Sequence, residues 1–186
     1  GPKGVTVKEL FIPAVVEADP DANITHLLEG RVAKAPNDAL FALPTADGGW
    51  SDVTTAEFHR QVIALAKGLI AAGVKPGEKI GLMCKVSYEW TLIDFAAAYA
   101  GAILVPVYET SSPAQLLHIL TDSGATGLIV ETAEQFTRFD EIRADAPKVA
   151  KVWQLHLGDI EKLTKGGEKV ADADVEKTRT RAKGKD

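Results

Sequence analysis

The sequence predicts an α/β protein, with helices layered on a mainly parallel sheet built from βαβ units and an N-terminal helix and β-hairpin ahead of it. Three observations carry this. Apolar strand candidates begin near Lys79 (KIGLMC), Ala102 (AILVPVY), Thr126 (TGLIVE) and Val149 (VAKVWQLH), evenly spaced along the chain. Each gap between them holds a helix-length segment, over 87–100, 113–122 and 133–144. Two of those helices open with capping-box spacing, Ser112 with Gln115 and Thr132 with Gln135, and Pro113 suits a first helical position.

The elements follow in order. Asn23 can cap a helix running to about Lys34 and ended by Pro36, so Asn23-Ile24-Thr25 reads as a helix start rather than a glycosylation acceptor. Segments 39–43 and 50–53 are short strands around a turn containing Gly48 and Gly49. Thr54 and Glu57 again have capping-box spacing, and Phe58, Val62, Leu65, Ala66, Leu69 and Ile70 recur at helical period until Gly73 stops the helix. The helix from Ser87 carries Trp90, Leu92, Ile93, Phe95 and Tyr99 on most of its sides, which predicts deep burial, Trp90 and Phe95 included. From Gly158 the apolar content thins. Gly166-Gly167 breaks two short helical pieces, and the segment reads as a charged connector.

Composition excludes several classes. The chain has 186 residues, 46% of them hydrophobic, enough for a sizeable core. A net charge of −5 argues against nucleic-acid binding. No apolar stretch reaches the ~18 residues of a membrane span, and no signal peptide opens the chain. The lone Cys84 excludes an internal disulfide, suits the reducing cytoplasm and reads as a buried structural thiol. Gly1-Pro2 reads as a tag remnant, and the only methionine is Met83, so the chain is expected to be trimmed.

Motifs narrow the chemistry. The turn Cys84-Lys85-Val86-Ser87 contains no glycine, so the dinucleotide fingerprint is missing, and no Walker-type loop occurs. His26, His59, His118 and His156 are scattered, without metal-ligand spacing. There is no Gly-x-Ser-x-Gly elbow. One loop stands out, Tyr108-Glu109-Thr110-Ser111-Ser112-Pro113, between a strand's carboxyl end and a helix amino end, where open α/β sheets gather ligands. Its hydroxyls suit a phosphate or a pantetheine amide; the plain reading is that Ser112 caps the helix and the others make the turn.

At these residues a resemblance emerges. The run GLIAAGVKPGEKI at 68–80 resembles adenylate-forming enzymes in general. YEWTLIDFA at 88–96, AGA at 100–102 and VPVYETSS at 105–112 resemble the AMP-forming long-chain fatty acyl-CoA synthetases in particular, and DSGA at 122–125 continues the match. Cys84-Lys85-Val86 departs from that pattern.

The resemblance implies the first αβ lobe of an adenylate-forming N-terminal domain over 3–157, with 158–186 leading on to a phosphate-binding segment past Asp186. The whole enzyme would use ATP, Mg2+ and CoA with a fatty acid, none held tightly by this chain. The catalytic and metal-binding residues would lie further along, so this chain would contain neither. By resemblance to related short-chain synthetases, Tyr108, Glu109 and Thr110 would lie near the CoA nucleotide. A lobe standing alone would expose an apolar face, predicting a homodimer, with peripheral membrane contact a further expectation. The competing reading is a free-standing flavodoxin-like binding or regulatory domain.

Overall fold

The structure is a computed structural model that describes residue 19 and residues 21–181. Gly1-Pro2, read as a tag remnant, and the last residues of the tail, 182–186, lie outside the described residues, as does most of 3–20.

The N-terminal unit is α1 (Ile24–Lys34) followed by the hairpin of β1 (Ala39–Pro44) and β2 (Trp50–Thr54). Asn23 starts α1 by accepting from the Thr25 N–H, while His26 Nδ1 accepts from the Asn23 N–H at 3.1 Å. A histidine thus fills the capping-box role usually given to Glu or Gln. The hairpin is antiparallel, and Phe41 on β1 packs against Phe58 with ring centroids 5.0 Å apart. β2 runs straight into α2 (Thr55–Ala71), because Thr54 both ends the strand and caps the helix by accepting from the Glu57 N–H. Only half of the capping box forms there, since Arg60 and Gln61 hold the Glu57 carboxylate. Gly73, at φ +84°, ends the turn after α2 in a conformation L side chains avoid.

The remaining strands form one parallel sheet. β3 (Lys79–Met83), α3 (Tyr88–Tyr99), β4 (Ile103–Val107), α4 (Pro113–Ser123), β5 (Gly127–Val130), α5 (Ala133–Ile142) and β6 (Lys151–Gln154) alternate as expected, in the order β4-β3-β5-β6. Leu82 lies opposite Pro106 on one side and Ile129 on the other. The capping boxes of Ser112–Gln115 and Thr132–Gln135 both form reciprocally.

Strand alternation sorts the core into two layers. Ile80, Leu82 and Ile129 face a cluster containing Leu65 and Leu69 of α2 and Ile93 and Ala97 of α3. Met83, Leu128 and Val130 face Leu116 and Leu120 of α4 and Phe139 of α5. Burial of each such side chain contributes about 1.5–3 kcal/mol, so both faces of the sheet contribute to stability.

Two expectations need correction. Trp90 and Phe95 are half-buried rather than buried, although Leu92, Ile93, Ala96, Ala97 and Tyr99 of α3 are fully covered. Trp90 lies in the first turn of α3 and walls a groove at the sheet's carboxyl edge, and Phe95 packs edge-on against Phe58 at 5.5 Å.

The charged tail forms two short helices, α6 (Asp159–Gly166) and α7 (Asp172–Arg179), separated after Gly166 as its glycines suggest. Both pack back onto α2, and α7 also meets α3, with the Thr178 hydroxyl donating to the Tyr99 carbonyl at 2.7 Å. The Asn23 side-chain amide donates to the Arg179 carbonyl at 2.8 Å, which joins the tail to the start of α1.

Candidate functional site

The strand order decides where a site can form. After β3 the chain moves outward to β4 and then crosses to the other side of β3 to make β5. The helices α3 and α4 therefore leave for opposite faces, and a crevice opens between the carboxyl ends of β3 and β5. The loops at 84–87, 108–112 and 131–132 gather at this edge.

The crevice is bridged from within. Glu131, just past β5, accepts from the Lys85 N–H at 3.0 Å with one carboxylate oxygen, and its other oxygen lies 3.4 Å from Lys85 Nζ. A carboxylate thus takes the amide a phosphate would need, and its charge opposes a second anion there. This agrees with a turn that has no glycine cradle. Along the same edge, toward β4, the surface opens again.

There a groove of about 590 Å3 opens, walled by Cys84, Lys85, Val86, Trp90 and the stretch from Pro106 to Thr110. Val86 and Tyr108 are each 85% exposed, so the mouth is apolar. Cys84 lies at its floor, 6% exposed, with its thiol donating to the Lys85 carbonyl. Burial first, and then the Glu131 charge, push its pKa up to about 11, which keeps the thiol neutral and unreactive. The structural reading of Cys84 holds.

Tyr108, Glu109 and Thr110 stand together at the rim, all exposed. Their turn is held three ways. The N–H of the buried Ser111 donates to the Tyr108 carbonyl at 3.0 Å, and Ser112 caps α4. The third support is Arg138 of α5, whose Nη1 donates to the carbonyls of Glu109 (3.0 Å) and Ser111 (3.3 Å) while Nη2 pairs with Glu134. Sequence reasoning named the turn. It missed Arg138 and Glu131, because no local spacing links α5 or the end of β5 to these loops, and it placed Trp90 in the core rather than on the groove wall.

A larger cleft, about 680 Å3, lies on the helical side between α1, α2, α3 and α7. It reads as structural. Its cations already have partners: Lys67 with Asp172, Arg60 with Glu57 and Arg179 with Glu176. At its base Glu29 accepts from the Tyr99 hydroxyl (2.7 Å) and contacts His59 Nε2 (2.8 Å), tying α1 to α3 and α2. Burial pushes Tyr99 far above the ordinary phenol range, and Glu29 adds to the effect. Burial also pulls Glu29 upward, but hydrogen bonds from Tyr99 and His59 and the charges of His59 and Arg179 outweigh it, leaving Glu29 below the usual carboxyl value.

Among the described residues no group of three or more His, Cys, Asp or Glu side chains could hold a metal ion. His26 caps α1, His59 meets Glu29, and His118 and His156 are exposed. No described helix is long and apolar enough to cross a membrane.

A parallel sheet wound in both directions, with an exposed turn beyond the carboxyl end of its edge strand, is the architecture of the first lobe of adenylate-forming enzymes. Residues 28–186 match the AMP-binding enzyme family, and the chain belongs to it. It is similar to the long-chain-fatty-acid–CoA ligase FadD15 of Mycobacterium tuberculosis, 32% identical over 172 residues, which cover 91% of this chain and 28% of that relative. It also resembles the long-chain-fatty-acid–CoA ligase heimdall of Drosophila melanogaster, 28% identical over 60% of this chain and 16% of the relative. Among solved structures, a long-chain-fatty-acid–CoA ligase (FadD1) from Archaeoglobus fulgidus shares the fold with a TM-score of 0.72, at 20% identity, over 86% of this chain and 32% of the other. The Mycobacterium tuberculosis fatty acyl CoA synthetase does so with a TM-score of 0.65, at 23% identity, over 77% of this chain and 28% of the other. The chain thus spans little more than a quarter of the FadD15 relative's length. These matches do not favour a free-standing flavodoxin-like domain.

Proposed function

We propose that this chain is the N-terminal lobe of an AMP-forming long-chain fatty acid–CoA ligase. Residues 3–157 form the lobe, and 158–186 lead on to a phosphate-binding segment. In the complete enzyme a fatty carboxylate oxygen attacks the α-phosphorus of ATP and pyrophosphate leaves. The CoA thiolate then attacks the acyl carbonyl carbon, and the carbon–oxygen bond to AMP breaks with the electron pair going to AMP. The observation that carries this reading is the 32% identity to FadD15 along 91% of the chain.

The chain's own share is scaffold and fringe contact. Tyr108, Glu109 and Thr110 stand on the CoA side, where an exposed ring, a hydroxyl and a backbone amide suit the nucleotide or pantetheine of CoA. Mg2+ would accompany ATP at residues further along the enzyme, as membership of the AMP-binding family suggests. A single thiol at the base of an apolar groove fits a reducing, cytoplasmic setting. The isolated chain, presenting Val86 and Tyr108, is expected to self-associate, and light scattering that finds only monomer at high concentration would remove that part of the reading.

The test of the whole is pyrophosphate release from ATP with a long-chain fatty acid and magnesium. Residues 1–186 alone should give none, and the full-length protein should turn over. Adenylation depends on preorganised donors, each worth about 10²–10³ in rate, and this chain lacks the phosphate-binding set. Activity from residues 1–186 alone would overturn the reading.

A further inference from the structure

We infer that Arg138 is a positioning residue for the CoA step: it orients the turn carrying Tyr108, Glu109 and Thr110 so that the Thr110 amide faces the ligand. The inference rests on the CoA-side reading above and goes further by assigning a role on α5, outside the turn itself.

The geometry supplies the argument. Arg138 reaches from the middle of α5, with its side chain only 23% exposed, and one guanidinium nitrogen bonds two turn carbonyls at once. Charge-assisted bonds of this kind are about twice as strong as neutral ones. All described peptides are trans, so each N–H points opposite the carbonyl of the residue before it. With the Glu109 carbonyl turned in toward Arg138, the Thr110 N–H turns out. With the Ser111 carbonyl turned in likewise, the Ser112 N–H turns away too.

The two amides have different fates. The Ser112 N–H is taken by Gln115 Oε1 at 2.9 Å in the α4 capping box. The Thr110 N–H meets no acceptor among the described residues, on an exposed residue at the groove's rim. One polarised amide is consumed by the fold and the other is left for a ligand. The Thr110 hydroxyl beside it makes a donor pair suited to an acceptor oxygen, whether of a phosphate or a pantetheine carbonyl. Glu134, paired with Nη2, keeps the guanidinium from swinging away.

The experiment uses the full-length enzyme and two readouts. ATP–pyrophosphate exchange with fatty acid needs no CoA, whereas the overall reaction gives the KM for CoA. Arg138→Gln should raise the KM for CoA roughly tenfold, the size of one lost net hydrogen bond, and leave exchange within about twofold. Tyr108→Ala and Thr110→Ala, run alongside, test the CoA-side reading on its own. If neither raises the KM for CoA, that reading falls and takes the inference with it. If they raise it and Arg138→Gln does not, only the positioning role falls. Loss of exchange in step with the CoA step in a folded Arg138→Gln variant also overturns the proposal, because the residue is then merely structural. Should Arg138→Gln fail to fold, Arg138→Lys, which keeps the charge and loses the fork, is read by the same rule. An enzyme that folds with neither overturns it.

Discussion

Gly68 of α2 and Gly167 at the end of α6 meet backbone to backbone: a Cβ on Gly167 would fall well under 3.0 Å from the Gly68 nitrogen. A Cβ on Gly68 would collide equally with the Leu163 carbonyl. Two glycines 99 residues apart in sequence thus let the tail lie directly on α2.

This contact yields a prediction with a decisive sign. Glycine in a helix interior is ordinarily worse than alanine by about 0.5–1 kcal/mol, so Gly68→Ala should stabilise if α2 stood alone. The collision with α6 is instead expected to cost about 2 kcal/mol net. Urea denaturation decides it, and a variant at least as stable as the parent sequence would mean that α6 does not seat there.

Acid should loosen the α1 attachment. The Glu29 carboxyl is held below its ordinary value of 4.5, chiefly by the Tyr99 and His59 hydrogen bonds acting against burial. A depressed folded value means the unfolded chain takes up the proton first. The contribution is therefore fully present above pH 4.5 and lost as pH falls through the folded value. Glu29→Gln should be less stable near neutrality and show a shallower loss below pH 4.5. Parallel acid limbs for the two proteins would show that Glu29 carries none of it.

Trp90 should matter less to stability than a fully buried tryptophan. As it is only partly buried, on the groove wall, Trp90→Ala is expected to cost about 1–2 kcal/mol, rather than the 3–5 typical of core aromatics. A loss at the core value would place Trp90 in the interior.

Cys84 should resist modification in the native state. Raising its pKa from 9.0 to about 11 leaves roughly a hundredfold less thiolate than an unperturbed thiol has near neutrality. Labelling by iodoacetamide at pH 8 should be slow until denaturant is added. Rapid native labelling would mean that the groove floor opens freely.

Local chemistry was legible in the sequence where cause and effect lie within a few residues. Ser112 with Gln115, Thr132 with Gln135, and Asn23 each start a helix where their spacing says they should, because a cap needs only its own first turn. Strand starts near Lys79, Ala102, Thr126 and Val149 were legible for a similar reason, since apolar runs must be buried wherever the sheet lies. The turn of Tyr108, Glu109 and Thr110 could be named from its place between a strand and a capped helix.

What surrounds that turn was decided only by the tertiary structure. Arg138 lies 29 residues from Glu109, and Glu131 lies 46 from Lys85. Those pairs exist because β5 crosses β3 and α5 packs beside α4, a choice of strand order that each strand's own residues leave open. The tail shows the same division. Its glycines announced a break between two short helices, but only the bare backbone surface of α2 at Gly68 turned the charged segment into a packed layer. Hydrogen bonds and close contacts between distant segments depend on distance in space, and that distance is fixed when the layers assemble, not by spacing along the chain.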